Sequence, residues 1–177
     1  MEIEQFVALS SGEWKSMRSG HSLAFKVFEE IISTIKIEVL SLEDPEIKQI
    51  LNRSPYNHSQ ASSPFKIEWE AESDWEPNSL EPSSKGYCYL IPFPKSLTTG
   101  HLIRSQGYLE KIYTTSSYSF LEDGTFYLKT KYNHSLCDEK IWFASENVRC
   151  RSSIIYSSDG KSILQTSFAS EVRKINQ

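Results

Sequence analysis

The sequence predicts an all-β protein, an antiparallel barrel or sandwich, from three observations. Strand-like segments recur about every ten residues as far as residue 175. Two Asp-Gly pairs, Asp123-Gly124 and Asp159-Gly160, each stand between short apolar segments, as in β-hairpins. Helices do not alternate with the strands as they do in a parallel α/β sheet, so consecutive strands are expected to be antiparallel neighbours.

A short helix is predicted near the N-terminus. Ser10 or Ser11 has the side chain of a helix N-cap, and Trp14, Met17 and Arg18 follow at helical spacing. These three side chains are therefore expected to lie on a helix.

Residues 21–31 fit a helix and a strand equally well. Leu23, Val27 and Ile31 recur at helical spacing, whereas Leu23, Phe25 and Val27 alternate as they would in a strand. The pattern alone leaves both structures open.

A second helix is predicted after residue 43. Asp44-Pro45-Glu46 supplies an N-cap, a proline in the first turn and an acidic charge near the helix N-terminus. Ile47, Ile50 and Leu51 then form an apolar stripe, and Pro55 brings the helix to an end.

Alternation of apolar and polar residues predicts the strands. Residues 65–72 are apolar at odd positions and mostly charged at even positions, and residues 34–42 also alternate. Residues 87–93 are apolar on both faces, which predicts a strand that is covered on both sides. Further strands are predicted at residues 108–113 and 117–121 and beside both Asp-Gly turns, and loops at residues 53–64 and 73–85.

The composition argues against several classes of function. A formal net charge of −4 disfavours a nucleic-acid-binding protein. No apolar segment reaches the ~18 residues of a membrane span, and the N-terminus lacks the pattern of a secretory signal. Cys88, Cys137 and Cys150 form no CxxC pair and the four histidines are scattered, so free thiols in a reducing compartment and no metal site are expected.

Charged residues share a strand face near the C-terminus. Arg149, Arg151 and Ser153 lie on one face, and Glu171 shares a face with Arg173. If the arginines point inward, the interior must receive anions, because unpaired buried charge is costly. The alternative is a solvated stripe on the outside. Glu171 is suited either to neutralise an arginine or to hold a cationic group of a ligand.

Aromatic residues make up 12% of the chain, which indicates either a thick β core or a pocket for a flat ligand. Trp142 lies on the face opposite Ile141 and Phe143. The motifs of P-loop, zinc-protease and serine-hydrolase sites are absent. By pattern alone, the chain is a small antiparallel barrel whose polar, aromatic-lined interior suits a flat anion.

The sequence also resembles the S-type phycobiliprotein lyases, which attach linear tetrapyrroles (bilins) to light-harvesting proteins. The resemblance extends from about Trp14 to Arg173, and it is most specific from Glu139 to Ser153. The residues that carry it are Trp14, Arg18, His21-Ser22-Leu23-Ala24-Phe25, Asp44-Pro45, Trp69, Gly107-Tyr108-Leu109-Glu110, Glu139-Lys140-Ile141-Trp142-Phe143-Ala144, Asn147-Val148-Arg149-Cys150-Arg151-Ser152-Ser153 and Phe168-Ala169-Ser170-Glu171-Val172-Arg173.

The resemblance implies a fold and an activity. The fold is a lipocalin-like or fatty-acid-binding-protein-like antiparallel β-barrel of about ten strands with one or two short helices, a single domain over residues 1–177, in which residues 21–28 are strand. The activity is that of a chromophore lyase. It binds a bilin non-covalently and attaches it through a thioether bond to a cysteine of a phycobiliprotein subunit. No cofactor is permanently bound. Phycoerythrobilin is favoured over phycocyanobilin on the composition and the tryptophans.

The resemblance also implies roles for individual residues. Arg149 and Arg151, with Arg18 as a third, are candidates to hold the bilin propionates. Glu171 or Glu139 is expected to accept hydrogen bonds from the pyrrole nitrogens, and Glu171 and Arg149 are the candidate catalytic pair. The remaining binding candidates are Trp69, Trp75 and Trp142, which would stack on the rings, Ser153, which would donate a hydrogen bond, and His21.

The chain departs from the family pattern at three positions. Gly20-His21 stands where the family often has two histidines, Cys150 replaces a usual leucine, and Ala169 stands where cysteine is common. Both Cys150 and Ala169 are expected on strand faces opposite the charged residues, so the binding set is expected to be intact.

The expected partner is the phycobiliprotein subunit that supplies the acceptor cysteine. Contact with the bilin-producing reductase and a homodimer are left open, and no nucleic acid or membrane partner is expected. The expected compartment is the cytoplasm of a cyanobacterium or a plastid stroma. Two alternatives stay open, namely a bilin carrier without transfer activity and a carrier of fatty acids or similar apolar ligands.

Overall fold

The computed structural model describes residues 1–23, 25–72, 85–105 and 113–175. Ten antiparallel strands form a closed barrel, in which each strand pairs with its neighbours in the chain and β1 pairs with β10 to close the ring. In chain order the elements are α1 (Ile3–Ser10), β1 (Gly12–Ser22), β2 (Val27–Val39), α2 (Pro45–Arg53), a 3-10 turn (His58–Gln60), β3 (Phe65–Ala71), β4 (Lys85–Pro94), β5 (Thr99–Ser105), β6 (Tyr113–Phe120), β7 (Phe126–Lys131), β8 (Ser135–Ser145), β9 (Val148–Ser157) and β10 (Ile163–Arg173). The prediction of an antiparallel barrel of about ten strands is confirmed.

The predicted helix carrying Trp14, Met17 and Arg18 is wrong. These residues lie on β1, and a helix precedes them instead, with Ser10 as its last residue. Along β1, Trp14 is buried and Met17 is exposed, as the two faces of a strand require. β1 pairs with both β2 and β10 over most of its length, and this pairing outweighs the local helical spacing.

Residues 21–31 form parts of two strands, as the family resemblance implied. β1 continues to Ser22 and β2 begins at Val27, and His21 lies opposite Phe28 in the pairing register. Lys26 has a positive φ of 55°, which helps the chain to reverse between the two strands. The strand interpretation is therefore correct for residues 21–22 and 27–31, but Leu23 and Phe25, which it also placed on a strand, lie in the turn between β1 and β2.

α1 closes one end of the barrel, which we call the closed end. The ring of Phe6 stacks on Phe126, with 4.3 Å between centroids, and meets Phe120 and Phe143 edge-on. These side chains belong to an apolar cluster that fills the barrel beside α1. The opposite end, where β1 stops at Ser22, is called the far end.

α2 covers the outside of the barrel over β4 and β5. Asp44 accepts hydrogen bonds from the first-turn backbone amides of α2 and so caps the helix as predicted. The apolar stripe of α2 packs on outward-facing residues of the sheet, so β4 is buried on both faces, which confirms the prediction for residues 87–93. The cluster comprises Ile47, Ile50, Leu51, Ala61, Ile91, Phe93 and Ile103.

Both Asp-Gly hairpins are present. Gly124 and Gly160 have φ of 82° and 70°, a conformation that glycine adopts without strain. The predicted loop at residues 53–64 contains the short 3-10 turn. Most of the loop predicted at 73–85 and of the strand predicted at 108–113 lies outside the described residues. None of the helices in the described ranges is long and apolar enough to cross a membrane.

Candidate functional site

The polar face of β9 points into the barrel. Arg149 is only 4% exposed, and Arg151 and Ser153 follow it on the same face toward the far end. Of the two arrangements left open by the sequence, the inward one is correct. The interior therefore contains guanidinium groups that need compensating charge.

Arg149 and Glu171 form a buried ion pair. They are register partners on β9 and β10, and Nε and Nη2 of Arg149 lie 2.6 Å and 2.5 Å from Oε2 of Glu171. The Glu171 side chain is fully buried. Burial lowers the pKa of Arg149, and the adjacent carboxylate of Glu171 opposes that shift. Because arginine keeps its proton in proteins, the Glu171 side chain lies against a permanent positive charge.

Among the residues that the structure describes, the other carboxylate oxygen of Glu171 has only long contacts. Oε1 receives a hydrogen bond of 3.5 Å from the Ser16 hydroxyl, and Nη2 of Arg151 lies 3.9 Å away. The Arg151 side chain is 33% exposed, in contrast to its buried neighbours. Glu171 therefore neutralises Arg149 directly and Arg151 loosely.

Trp14 fixes the position of this ion pair from the closed end. The guanidinium carbons of Arg149 and Arg173 lie 4.8 Å and 4.2 Å from the centre of the Trp14 ring, so the indole contacts two cations. Its Nε1–H donates a hydrogen bond of 2.9 Å to the backbone carbonyl of Ser10. Trp14 is completely buried and acts as a packing element of the site.

Glu139 and Ser153 lie further toward the far end. They are register partners on β8 and β9, both on the inner face and both half-buried. The Ser153 hydroxyl is hydrogen-bonded to that of Ser167 at 2.7 Å. No arginine or lysine nitrogen within the described ranges comes within ion-pair distance of the Glu139 carboxylate. Glu139 is therefore an acceptor with spare capacity beside Arg151.

Arg104, Cys88 and Cys137 are inner-face residues that the sequence reasoning missed. Burial raises the pKa of the Cys88 thiol. The charges of Arg104 and Arg151 act to lower this pKa and that of Glu139 acts to raise it, so all four side chains face one space. Burial and the negative charge of Glu139 raise the pKa of Cys137 to about 12. Both thiols are therefore protonated at neutral pH.

Trp69 and Arg18 line the interior wall at other heights. Trp69 packs over Gly86, where a Cβ atom would lie 2.3 Å from the indole, so β4 needs glycine at this position. Arg18 faces inward with a half-exposed side chain, and its Nη2 lies 3.2 Å from Oε1 of Glu29. Arg18 is therefore already paired with a carboxylate on β2.

Two predicted binding residues, His21 and Trp142, are not in this cluster. His21 is exposed on the outer face of β1, with its ring 4.8 Å from that of Phe28. Trp142 lies on the outer face of β8, where its ring is 6.1 Å from that of Phe168. Trp75 lies outside the described residues. The structure thus separates His21 and Trp142 from the interior group.

A protein family described as CpeS-like matches residues 2–174. The chain belongs to this family. The predicted S-type phycobiliprotein lyase family and lyase activity are thereby confirmed.

Individual relatives agree with this assignment. The chain is 47% identical to chromophore lyase CpcS/CpeS 3 of Trichodesmium erythraeum over 98% of this chain and 99% of that protein. It is 40% identical to a candidate phycoerythrobilin lyase CpeS of Microchaete diplosiphon, over 85% of this chain and 66% of that protein. The structure of an S-type phycobiliprotein lyase CPES from Guillardia theta superimposes with a TM-score of 0.84 and 33% identity, over 100% of this chain and 95% of that one.

The departures from the family pattern fall on both faces of the barrel wall. Cys150 is on the outer face as expected, but Ala169 is 1% exposed on the inner face. The expectation for Ala169 is wrong because it is two residues from Glu171, and such residues share a strand face. Gly20 is also on the inner face, where an added Cβ would lie 3.2 Å from Oε1 of Glu29. Glu29 thus occupies the space beside Gly20.

Two grooves lie on the barrel wall away from the buried arginines. One of about 440 Å³ is lined by residues of β5 to β9 such as Lys129 and Tyr156, and one of about 780 Å³ by residues of β2 to β4 such as Lys36 and Trp69. Neither includes the residues around Glu171. Among the described residues, no three His, Cys, Asp or Glu side chains are grouped closely enough to hold a metal ion.

Proposed function

We propose that this lyase binds a bilin non-covalently inside the barrel and attaches it by a thioether bond to a cysteine of a phycobiliprotein subunit. The observation that carries the proposal is the set of inward-facing guanidinium groups, of which Arg151 is exposed to the interior and only loosely compensated. A bilin carries two propionates, and guanidinium groups bind carboxylates with paired hydrogen bonds.

The reaction is an addition of a thiol to a double bond. The cysteine sulfur forms a bond to the ethylidene carbon of ring A, the double bond is lost, and the thiol proton is balanced by a proton added to the adjacent ring carbon. No oxidant or reductant is needed. The lyase contributes by holding the bilin in one conformation and by excluding wrong ones.

Glu139 is the better placed of the two candidate acceptors for the pyrrole N–H groups. Glu171 is completely buried, and its Oε2 already accepts a hydrogen bond from Nε of Arg149 and lies 2.5 Å from Nη2 of the same guanidinium. Glu139 is half-buried and has no cation in contact among the described residues. Glu171 then acts by orienting Arg149 and Arg151, while Glu139 supplies the negative charge that stabilises protonated pyrrole nitrogens.

Phycoerythrobilin is the proposed substrate. The similarity to a relative named as a candidate phycoerythrobilin lyase supports this choice. Trp69, on the inner wall, offers a flat surface for one pyrrole ring. Contact with the reductase, a homodimer and the compartment stay predictions.

The test is a transfer experiment with two bilins. The protein is mixed with phycoerythrobilin or phycocyanobilin, and a shifted, stronger long-wavelength absorbance band is expected for the preferred bilin. A phycobiliprotein subunit is then added, and a coloured adduct that survives acid denaturation is expected. A subunit whose acceptor cysteine is replaced by alanine, and a reaction without lyase, are the controls.

Two outcomes favour the alternatives. Uptake of bilin without any acid-stable adduct identifies a carrier. Displacement of a fluorescent fatty acid by lipid but not by bilin identifies an apolar-ligand carrier, which the charged interior disfavours.

A further inference from the structure

Arg104 is an inward-facing arginine for which the described residues provide no carboxylate partner. It lies on the inner face of β5, two residues after the buried Leu102 and opposite Leu90 in the register. In the described part of the chain, no Asp or Glu oxygen lies within the 4.0 Å of an ion pair with its guanidinium. Arg18, Arg149 and Arg151 each have such a partner.

The groups beside Arg104 do not neutralise it. Burial raises the pKa of the Cys88 thiol and the pKa of the Tyr132 hydroxyl, so both are uncharged at neutral pH. Burial lowers the pKa of Arg104 itself, but Cys88 and Glu139 more than offset this and raise it. Glu139 thus acts on Arg104 from a distance. An arginine on an inner wall whose contacts with the described residues are neutral is a site for an anion.

Arg104 and Arg151 face each other across the barrel. β5 and β9 are four strands apart in a ring of ten, so their inner faces are nearly opposite. Both guanidinium groups are close enough to the Cys88 thiol to oppose the rise in its pKa that burial causes, which places them around one interior space. The pair suits a ligand whose two carboxylates are carried on separate arms.

We infer that Arg104 binds one propionate of the bilin and that Arg151 binds the other. This inference rests on the proposed function and deepens it. Arg149 does not take the first propionate, because Glu171 already occupies its guanidinium. Arg104 is thus a binding residue that supplies the second positive charge of the site.

Bilin esters test the assignment. The dissociation constants of free phycoerythrobilin, its two monomethyl esters and its dimethyl ester are measured by absorbance titration with the wild type and with Arg104→Gln. Each monoester is expected to bind the wild type roughly 10- to 100-fold more weakly than the free acid. Arg104→Gln is expected to bind the free acid more weakly than the wild type does, by a similar factor. For this variant, methylation is expected to weaken binding further in only one of the two monoesters.

Two further variants complete the design. Arg104→Lys keeps the charge without the paired hydrogen bonds and is expected to bind with intermediate affinity. Arg53→Gln, at the exposed end of α2, is the matched control and should bind all four ligands as the wild type does. Without ligand, Arg104→Gln is expected to unfold at the same temperature as the wild type or higher, since an uncompensated charge is removed.

The failures are distinguishable. A wild type that binds no bilin overturns the proposed function and this inference together. The inference alone is overturned if the wild type binds bilin and Arg104→Gln discriminates between the esters just as the wild type does. A large loss of thermal stability in ligand-free Arg104→Gln also overturns it, because Arg104 would then be a structural partner of another group.

Discussion

Replacing Glu171 by glutamine is expected to destabilise the protein strongly. The amide side chain would keep an acceptor oxygen for Arg149 but would remove the negative charge that compensates Arg149, which is 4% exposed, and also Arg151, whose Nη2 is 3.9 Å away. Breaking a buried ion pair by removing one partner costs about 3–5 kcal/mol. We expect the lower end of that range, because the hydrogen bond is partly kept.

Urea unfolding at neutral pH measures this loss. For a domain of this size, a loss of about 3 kcal/mol corresponds to a fall in melting temperature on the order of 10 °C. Glu30→Gln is the matched control, since Glu30 is exposed on β2, and it should change the unfolding free energy by less than ~0.5 kcal/mol. Arg151→Gln, at a half-exposed position, should cost about 1 kcal/mol or less.

A double replacement separates charge from packing. Arg149→Met combined with Glu171→Leu removes both charges at once, and the pair is expected to recover most of the stability that Glu171→Gln loses. An unfolding free energy for Glu171→Gln within ~0.5 kcal/mol of the wild type would refute the reasoning, because it would mean that Arg149 does not need its carboxylate.

Two other predictions concern buried side chains. The Tyr118 hydroxyl is buried without a hydrogen-bond partner among the described residues, and burial raises its pKa to about 12. Tyr118→Phe should therefore raise the unfolding free energy by about 1 kcal/mol at neutral pH. The wild type should lose stability as the pH rises from the ordinary tyrosine pKa toward 12, and the variant should not show this loss. Tyr127→Phe, which loses a 2.8 Å hydrogen bond to a carboxylate, should lower the unfolding free energy, and equal effects of the two variants would contradict this. A thiol reagent at pH 8 should modify Cys150 first, because Cys88 and Cys137 are buried and their pKa values are raised; labelling of all three at one rate, read by mass spectrometry, would contradict it.

The sequence predicted the barrel because its strands alternate and its turns carry Asp-Gly pairs. It did not predict β1, because Trp14, Met17 and Arg18 have a spacing that also fits a helix, and only pairing with β2 and β10 decides between the two structures. The inner face of β9 was recognised as a charged face, although the pattern could not say whether that face points inward.

Arg104 was missed for a physical reason. Leu102 and Ile103 are adjacent and both buried, one inside the barrel and one beneath α2. A strand that is covered on both faces has no polar alternation to show which face is inner. Trp142 presents the opposite problem, because its large ring drew attention to a face that is in fact the outer one.

The interior arginines differ in how closely a carboxylate neutralises them, and the difference follows their position along the barrel. This arrangement allows the chain both to fold and to bind an anion. Arg149 lies deepest, where water screens least, and it is the guanidinium with the closest carboxylate. Arg151 lies two residues further toward the far end of β9 than Arg149, and Arg104 is the last residue but one at the far end of β5, so a bound anion can replace water beside them. The protein therefore folds without ligand because its most buried charge is neutralised from within. An entering carboxylate then gains contact with Arg151 and Arg104 without breaking the bond between Arg149 and Glu171.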